Sequence, residues 1–331
     1  MSIELKDIND ASRLRVKKAE GNSPISATEL FRFSFGSKNT SFPNPKVVDV
    51  PLPLLNSLSP VCEAWDCGEI TESGNIGNVQ FSKSDSWLML HQTFKSDEAT
   101  PVEKLTENAY KEMLKFAYDS GYLEVLRTWN FIPNINSGVG DSEQYRLFSL
   151  GRAAAFDTCG ISMNELPAGT AIGITRDHGL SITFLCSRRR VERIENPRQI
   201  SAYRYPRQYG LKSPLFSRAV LAHHNNPKLL FVSGTASIIG HESIHTGNAE
   251  QQLVETMVNL EHIEELAERH SDFHKDPGNT VYKIYIRKGH EQSLISSEIV
   301  QALCSAFDVI ILEGDICRSD LLTEIECICQ F

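Results

Sequence analysis

The run TEIEC sets Glu324 and Glu326 two residues apart with Ile325 between them. Side chains alternate on a strand, so both carboxylates project from one face and Ile325 from the other. A carboxylate partly buried at a strand end has a raised pKa and can donate a proton as a general acid. The commoner fate of such a pair is a solvated sheet face. A second group lies in SAYRYPRQYG, residues 201–210, beside Arg204. Here Tyr203, Tyr205, Arg207 and Tyr209 alternate, and an extended chain projects them to one side. Three phenols and a guanidinium suit a ring-bearing carboxylate, because arginine grips carboxylates through paired hydrogen bonds. An edge strand with exposed Tyr and Arg has the same pattern.

Arg152 sits among alanines in GRAAAF; it either snorkels to the surface or points into a site. Phe216 and Arg218 of PLFSRAV are further candidates for the lining of a pocket. Cys317 precedes the Glu324 strand, where a lone thiol usually fills core space. His241 and His245 have a spacing that binds metal on a helix. Gly240 and Thr246-Gly247 flank them, which indicates a loop, so no metal is expected. Residues 188–190, three arginines, read as a solvated strand end.

The elements that must hold these residues form an internal repeat. In the second half, residues 228–240 read as a strand entering a turn. A helix follows over 249–269, with Leu253, Met257, Leu260, Ile263 and Ala267 on one face. A strand over 281–287, a helix over 292–307 and strands over 308–314 and 321–329 complete the unit. The first half repeats the order: strand 84–94, helix 101–120, strand 122–132, helix 143–158 and strands 169–175 and 180–187. Two copies of β-β-α-β-α-β-β predict an α+β fold, each mixed sheet covered by helices on one face. Such copies can enclose a ligand cleft between their sheets. The polar first 45 residues read as a flexible arm, followed by one domain over 46–195 and a second over 196–331 that carries Glu324.

The 331 residues carry a net charge of −9. A nucleic-acid partner is not expected, because phosphate binding needs a basic surface. No apolar run approaches the ~20 residues that span a bilayer, and the N-terminus lacks the apolar region of a signal peptide. A cytoplasmic protein without a membrane partner is the expectation. The eight cysteines are then free thiols. A monomer and a small homo-oligomer fit the repeat equally well.

The second half resembles the YjgF/RidA family through PLFSRAV, LLFVSGTAS, the helix AEQQLVETMVNLEHI and RSDLLTEIEC. In that family the glutamate matching Glu324 points into a pocket. The imine deaminases of the family also carry an arginine on the penultimate strand, where this chain has Val309, Ile310 and Ile311. Over nearly the whole chain beyond the arm, the sequence is similar to the chorismatases. LRTWNFIPNIN, GRAAAF, ENPRQISAYRYPRQYGLKSPLFSRA, LFVSGTASIIGHESIHTG and DICRSDLLTEIE carry the similarity. The resemblance implies a chorismate substrate, loss of pyruvate, a catalytic acid at Glu324, and no metal or organic cofactor. The subgroup that yields 3-hydroxybenzoate, some of whose members also yield 4-hydroxybenzoate, carries a glycine in the SGTAS turn and a cysteine upstream of the acid. This chain has Gly234 and Cys317 there. The hydrolytic subgroup, which yields a dihydroxycyclohexadiene carboxylate, tends to have alanine at both.

Overall fold

The computed structural model describes residues 13–36, 44–95, 99–271 and 277–331. Its first four strands are β1 (Arg15–Glu20), β2 (Glu29–Phe35), β3 (Val47–Val50) and β4 (Val61–Asp66), which form one sheet in the order β1-β4-β2-β3. Every residue of β2 is buried. Phe31 stacks on Trp65 of β4 with ring centroids 5.2 Å apart. This corrects the flexible arm expected over residues 1–45. The polar composition is real, but the apolar residues are concentrated in ELFRFSF, and burying three phenylalanines outweighs the ordering cost of a short strand. Residues 1–12 and 37–43 of that arm lie outside the described residues.

The first repeat runs β5 (Glu72–Ile76), β6 (Val79–Lys83), β7 (Trp87–Thr93), α1 (Val102–Asp119), β8 (Glu124–Pro133), α2 (Gln144–Cys159), β9 (Ala168–Ile174) and β10 (Ser181–Ser187). After β11 (Glu192–Ile194), the second repeat runs β12 (Ala219–Ala222), β13 (Leu229–Thr235), the small hairpin β14 (Ile238–Ile239) and β15 (Glu242–Ser243), and α3 (Ala249–Ser271). It continues with β16 (Thr280–Ile286), α4 (Glu291–Ile295), α5 (Glu298–Ala306), β17 (Asp308–Glu313), β18 (Asp315–Ile316) and β19 (Thr323–Gln330). The sheet orders are β18-β9-β8-β10-β7-β6-β5 and β11-β12-β13-β19-β16-β17. Strands β6-β7-β10-β8-β9 therefore correspond to β12-β13-β19-β16-β17. In both units the parallel pair, β8 with β9 and β16 with β17, is joined through helix. The expected helix over 292–307 is two helices. Ser297 starts the second by accepting a hydrogen bond from the Val300 amide at 3.3 Å, a side-chain cap that a continuous helix has no use for.

Helices cover the outer face of each sheet, over separate apolar cores. The inner faces meet each other and the N-terminal sheet in a third core that holds Trp65, Trp129, Phe231 and Tyr285. β8, β10, β16 and β19 are accordingly buried along nearly their whole length, polar residues included, because each is covered on both sides. The repeats are also stitched together. The second repeat's β18 extends the first repeat's sheet, pairing Asp315 with Gly173 and Ile316 with Ile172. Where β9 passes β13, the Gly169 amide donates to Ser233 Oγ at 2.8 Å.

Candidate active site

At this seam a cleft opens between the repeats. Tyr145 from α2, Tyr205, Tyr209, Phe216 and Arg218 from the connection, Gly234 from β13, Cys317 and Arg318 from the β18–β19 segment, and Glu324 from β19 all line it. Its inner end continues into a small chamber bounded by Tyr145, Arg152, Thr170, Phe216, Gly234, Cys317 and Glu324.

Glu324 is 4% exposed. Burial, then the negative charge of Glu326, push its carboxyl up to about 8, against a smaller opposing pull from Arg127. It is thus a protonated acid at neutral pH. Its room comes from Gly234: a Cβ there would lie 1.9 Å from Glu324 Oε1, so any other residue would displace the acid. A β-bulge supports this approach. Val232 pairs with Cys327 and Thr235 with Ile325, leaving Ser233 and Gly234 against one residue of β19. The Cys317 thiol, held up to about 12 by burial and by Glu324, is neutral.

Glu326 projects from the same face but sits in a closed charge cluster. It receives Lys283 Nζ at 2.6 Å, Arg127 Nη2 at 2.6 Å, Trp129 Nε1 at 3.0 Å and the Thr170 hydroxyl. Lys283 also pairs with Glu63 at 2.9 Å. Burial alone would raise the Glu326 carboxyl, but Lys283 and Arg127 together hold it below the usual range. Thr170 accepts from Arg127 Nη2 at 2.5 Å and from the Gly234 amide at 3.1 Å. One hydroxyl thereby joins this cluster to the turn beside Glu324.

The cationic groups differ in availability. Arg152 is 2% exposed, and its Nε and Nη2 have no hydrogen-bond partner, although its guanidinium lies 5.0 Å from the Phe148 ring. A buried guanidinium left open is costly unless an anion completes it. Arg218 Nη2 donates to Tyr205 Oη at 2.8 Å and to the Ile200 carbonyl at 2.9 Å. Arg318 stacks on Tyr209 at 4.0 Å and donates to the His241 carbonyl at 2.8 Å.

A family model described as Chorismatase FkbO/Hyg5-like, N-terminal, matches residues 63–186. A 3-hydroxybenzoate synthase of Streptomyces hygroscopicus is 33% identical over 280 residues, 81% of each chain. The chain belongs to the chorismatase family. A chorismatase of Streptomyces rapamycinicus is likewise 33% identical, over 80% of each chain. A chorismatase crystal structure at 1.08 Å resolution matches with a TM-score of 0.83 and 28% identity, covering 97% of this chain and 99% of that one. The α+β fold with two tandem RidA-like domains stands on this match. No helix among the described residues of this chorismatase is long and apolar enough to cross a membrane.

Most of the residues chosen from the sequence converge: Glu324, Gly234, Cys317, Arg152, Tyr205, Tyr209, Phe216 and Arg218 all border the cleft or its inner chamber. Two do not. Arg207 points away and forms an exposed ion pair with Asp141, at 2.9 and 2.7 Å. Tyr203 packs against the helical core of the first repeat. The reason is Pro206, which splits the segment into two 3-10 turns, Ala202–Arg204 and Arg207–Tyr209. Alternation applies to extended chain, and here it fails. His241 Nδ1 lies 3.2 Å from Tyr209 Oη, while His245 faces Glu255 at 3.8 Å. None of the eight cysteines forms a disulfide. Sequence reading missed Tyr145, Thr170 and Arg318. The DICRSD segment offered a signal for Arg318, since it stands next to Cys317.

Proposed function

We propose that the protein converts chorismate to 3-hydroxybenzoate and pyruvate, with Glu324 as the acid. The observation that carries this reading is a buried, protonated carboxyl with no cation paired to it, in one chamber with a guanidinium that has two nitrogens open. Chorismate is a dianion bearing an enol ether on a cyclohexadiene ring. Arg152 receives one carboxylate by paired hydrogen bonds, and Arg318 provides a cation nearer the mouth. Glu324 protonates the enolpyruvyl methylene, which leaves an oxocarbenium-like carbon and weakens the bond between ring C3 and the ether oxygen. As that bond breaks and pyruvate leaves, the C4 hydroxyl oxygen bonds to C3, and its bond to C4 then breaks so that the oxygen stays on C3. The resulting carboxylate offsets that positive charge, then takes a proton as the ring becomes aromatic. Chorismate divides into pyruvate and hydroxybenzoate with no net water, whereas the non-aromatic diene diol requires one. Gly234 gives Glu324 its position, and the neutral Cys317 thiol borders the same chamber, which supports assigning both to the choice of product. The names of the relatives agree with this substrate.

The test is incubation of pure protein with chorismate, with pyruvate read by coupling to lactate dehydrogenase and acids separated by chromatography. Equal amounts of pyruvate and 3-hydroxybenzoate are expected. Pyruvate with the diene diol, or with 4-hydroxybenzoate alone, would replace the product assignment; no pyruvate would remove the reading.

A further inference from the structure

Cys317 and Arg318 lie in a short segment between β18 and β19, and a short connection does not fix its own side chains. Gln252 and Ser243 hold Asp320, and one residue outside the cleft, Arg287, bonds the rest of the segment at four residues. Arg287 follows β16, and its side chain is 16% exposed. Its Nη2 donates to the carbonyls of Ile316 at 3.2 Å and Arg318 at 3.0 Å, the two that bracket Cys317. Nε donates to the Leu321 carbonyl at 2.9 Å, and Nη1 pairs with Asp315 Oδ1 at 2.5 Å. Nη2 also reaches Asn136 Oδ1 in the first repeat at 3.1 Å. Asn136 in turn donates to the Ile316 carbonyl at 3.0 Å. A single planar fork thus holds both ends and the middle of residues 315–321 and ties them across the seam. The Arg318 carbonyl also accepts from the Leu321 amide at 3.1 Å, closing a turn within the segment.

We propose that Arg287 is a positioning residue: it fixes Cys317 and Arg318 on the cleft wall and thereby governs how the protonated substrate divides between aromatic and non-aromatic products. The inference rests on the function proposed above. Arg287 touches neither the cleft nor substrate, and acts through the backbone on either side of the thiol. Lysine cannot replace it, because an ammonium is a point charge with three donors and cannot span five oxygens.

The experiment uses the full chain with Arg287→Lys, and with Asn136→Ala as the milder variant should the first fail to fold. Amide hydrogen exchange reads the positioning directly. Exchange over residues 315–321 is expected to rise about tenfold or more in Arg287→Lys, the equivalent of one net hydrogen bond, while α1 and α3 keep their protection. In parallel, the ratio of 3-hydroxybenzoate to pyruvate is expected to fall several-fold while pyruvate release persists. Asn136→Ala should move both in the same direction by less. Unchanged exchange over 315–321 would overturn the positioning role. Faster exchange with an unchanged product ratio would overturn control of the product. A parent protein that yields no pyruvate from chorismate would defeat the underlying reading and the product half with it, while the exchange measurement would still decide whether Arg287 holds the segment.

Discussion

Glu324 and Glu326 occupy the same face of one strand, yet the two ends of the seam treat them in opposite ways. Around Glu326 every charge has a counter-charge: two cations, Arg127 and Lys283, meet two carboxylates, Glu63 and Glu326. Around Glu324 the chamber wall is Tyr145, Phe216, Gly234, the Cys317 thiol and the open guanidinium of Arg152, and among the described residues no cation is paired to it. The first region spends its polarity on holding the repeats together. The second leaves an acid uncompensated and keeps it neutral. The difference lies in the neighbours, because residue type, strand and face are the same. The closed end also serves the open one, since the fixed charge of Glu326 helps to keep the Glu324 proton in place.

The sharpest way to break this contrast is to open the closed end. Lys283→Met leaves Glu63 and Glu326 both short of a cation, and should cost about 3–5 kcal/mol of stability, read from the denaturant midpoint. A loss below about 1 kcal/mol would mean that the cluster relaxes with ease. The second attack is on the open end. Glu324→Gln keeps shape without the proton, so turnover should fall by about 10²-fold while binding of a substrate analogue survives. The same variant tests the electrostatics. The folded protein holds the Glu324 proton up to about pH 8, whereas an unfolded chain releases it near the ordinary carboxylate value of about 4.3. Between these the native state binds more protons, so this group's contribution to stability declines as pH rises. Glu324→Gln should flatten that decline, and parent activity should fall above about pH 8. A parent pH profile unchanged through pH 9 would contradict a carboxyl acid. Third, Arg152→Met should weaken analogue binding by about 1.5–3 kcal/mol, the worth of a charged hydrogen bond; calorimetry would decide. The smallest effect belongs to Arg207→Ala. Its ion pair with Asp141 is exposed, so stability should change by no more than about 1 kcal/mol, and analogue affinity should stay within about fivefold. A larger loss of affinity would return Arg207 to the site.

Where a residue's surroundings are local, the sequence was sufficient. The amphipathic face of α3, the Glu324–Ile325–Glu326 alternation and the order of elements in each repeat are all set by periodicity over a few turns or strands. What escaped was set by distant partners or by one punctuating residue. Pro206 turned an alternating segment into two tight turns and sent Arg207 outward. The polar composition of the first 45 residues hid the strand of Phe31, Phe33 and Phe35, whose ring partners Trp65 and Trp129 come much later in the chain. Thr170 has no distinguishing signal in AGTAIGI; its role exists only because the second repeat brings Glu326 and the Gly234 amide to it. Arg287 was invisible for the same reason, since its partners are three backbone carbonyls and the side chains of Asp315 and Asn136.

The contact between β1 and β19 has a consequence for how the molecule is made. Gln330 on β19 accepts from the Val16 amide at 3.0 Å and donates to the Val16 carbonyl at 2.7 Å, so β1, which pairs with β4 within its own sheet, docks against the second repeat only after Gln330 has been made. Contacts of such separation delay folding, because the intervening chain must first give up its freedom. During translation the N-terminal sheet can pair its strands early, but its aromatic face stays uncovered until the repeats arrive and meanwhile needs protection from wrong contacts. The acid Glu324 arrives on β19, so closing the inner core and acquiring the acid are one event.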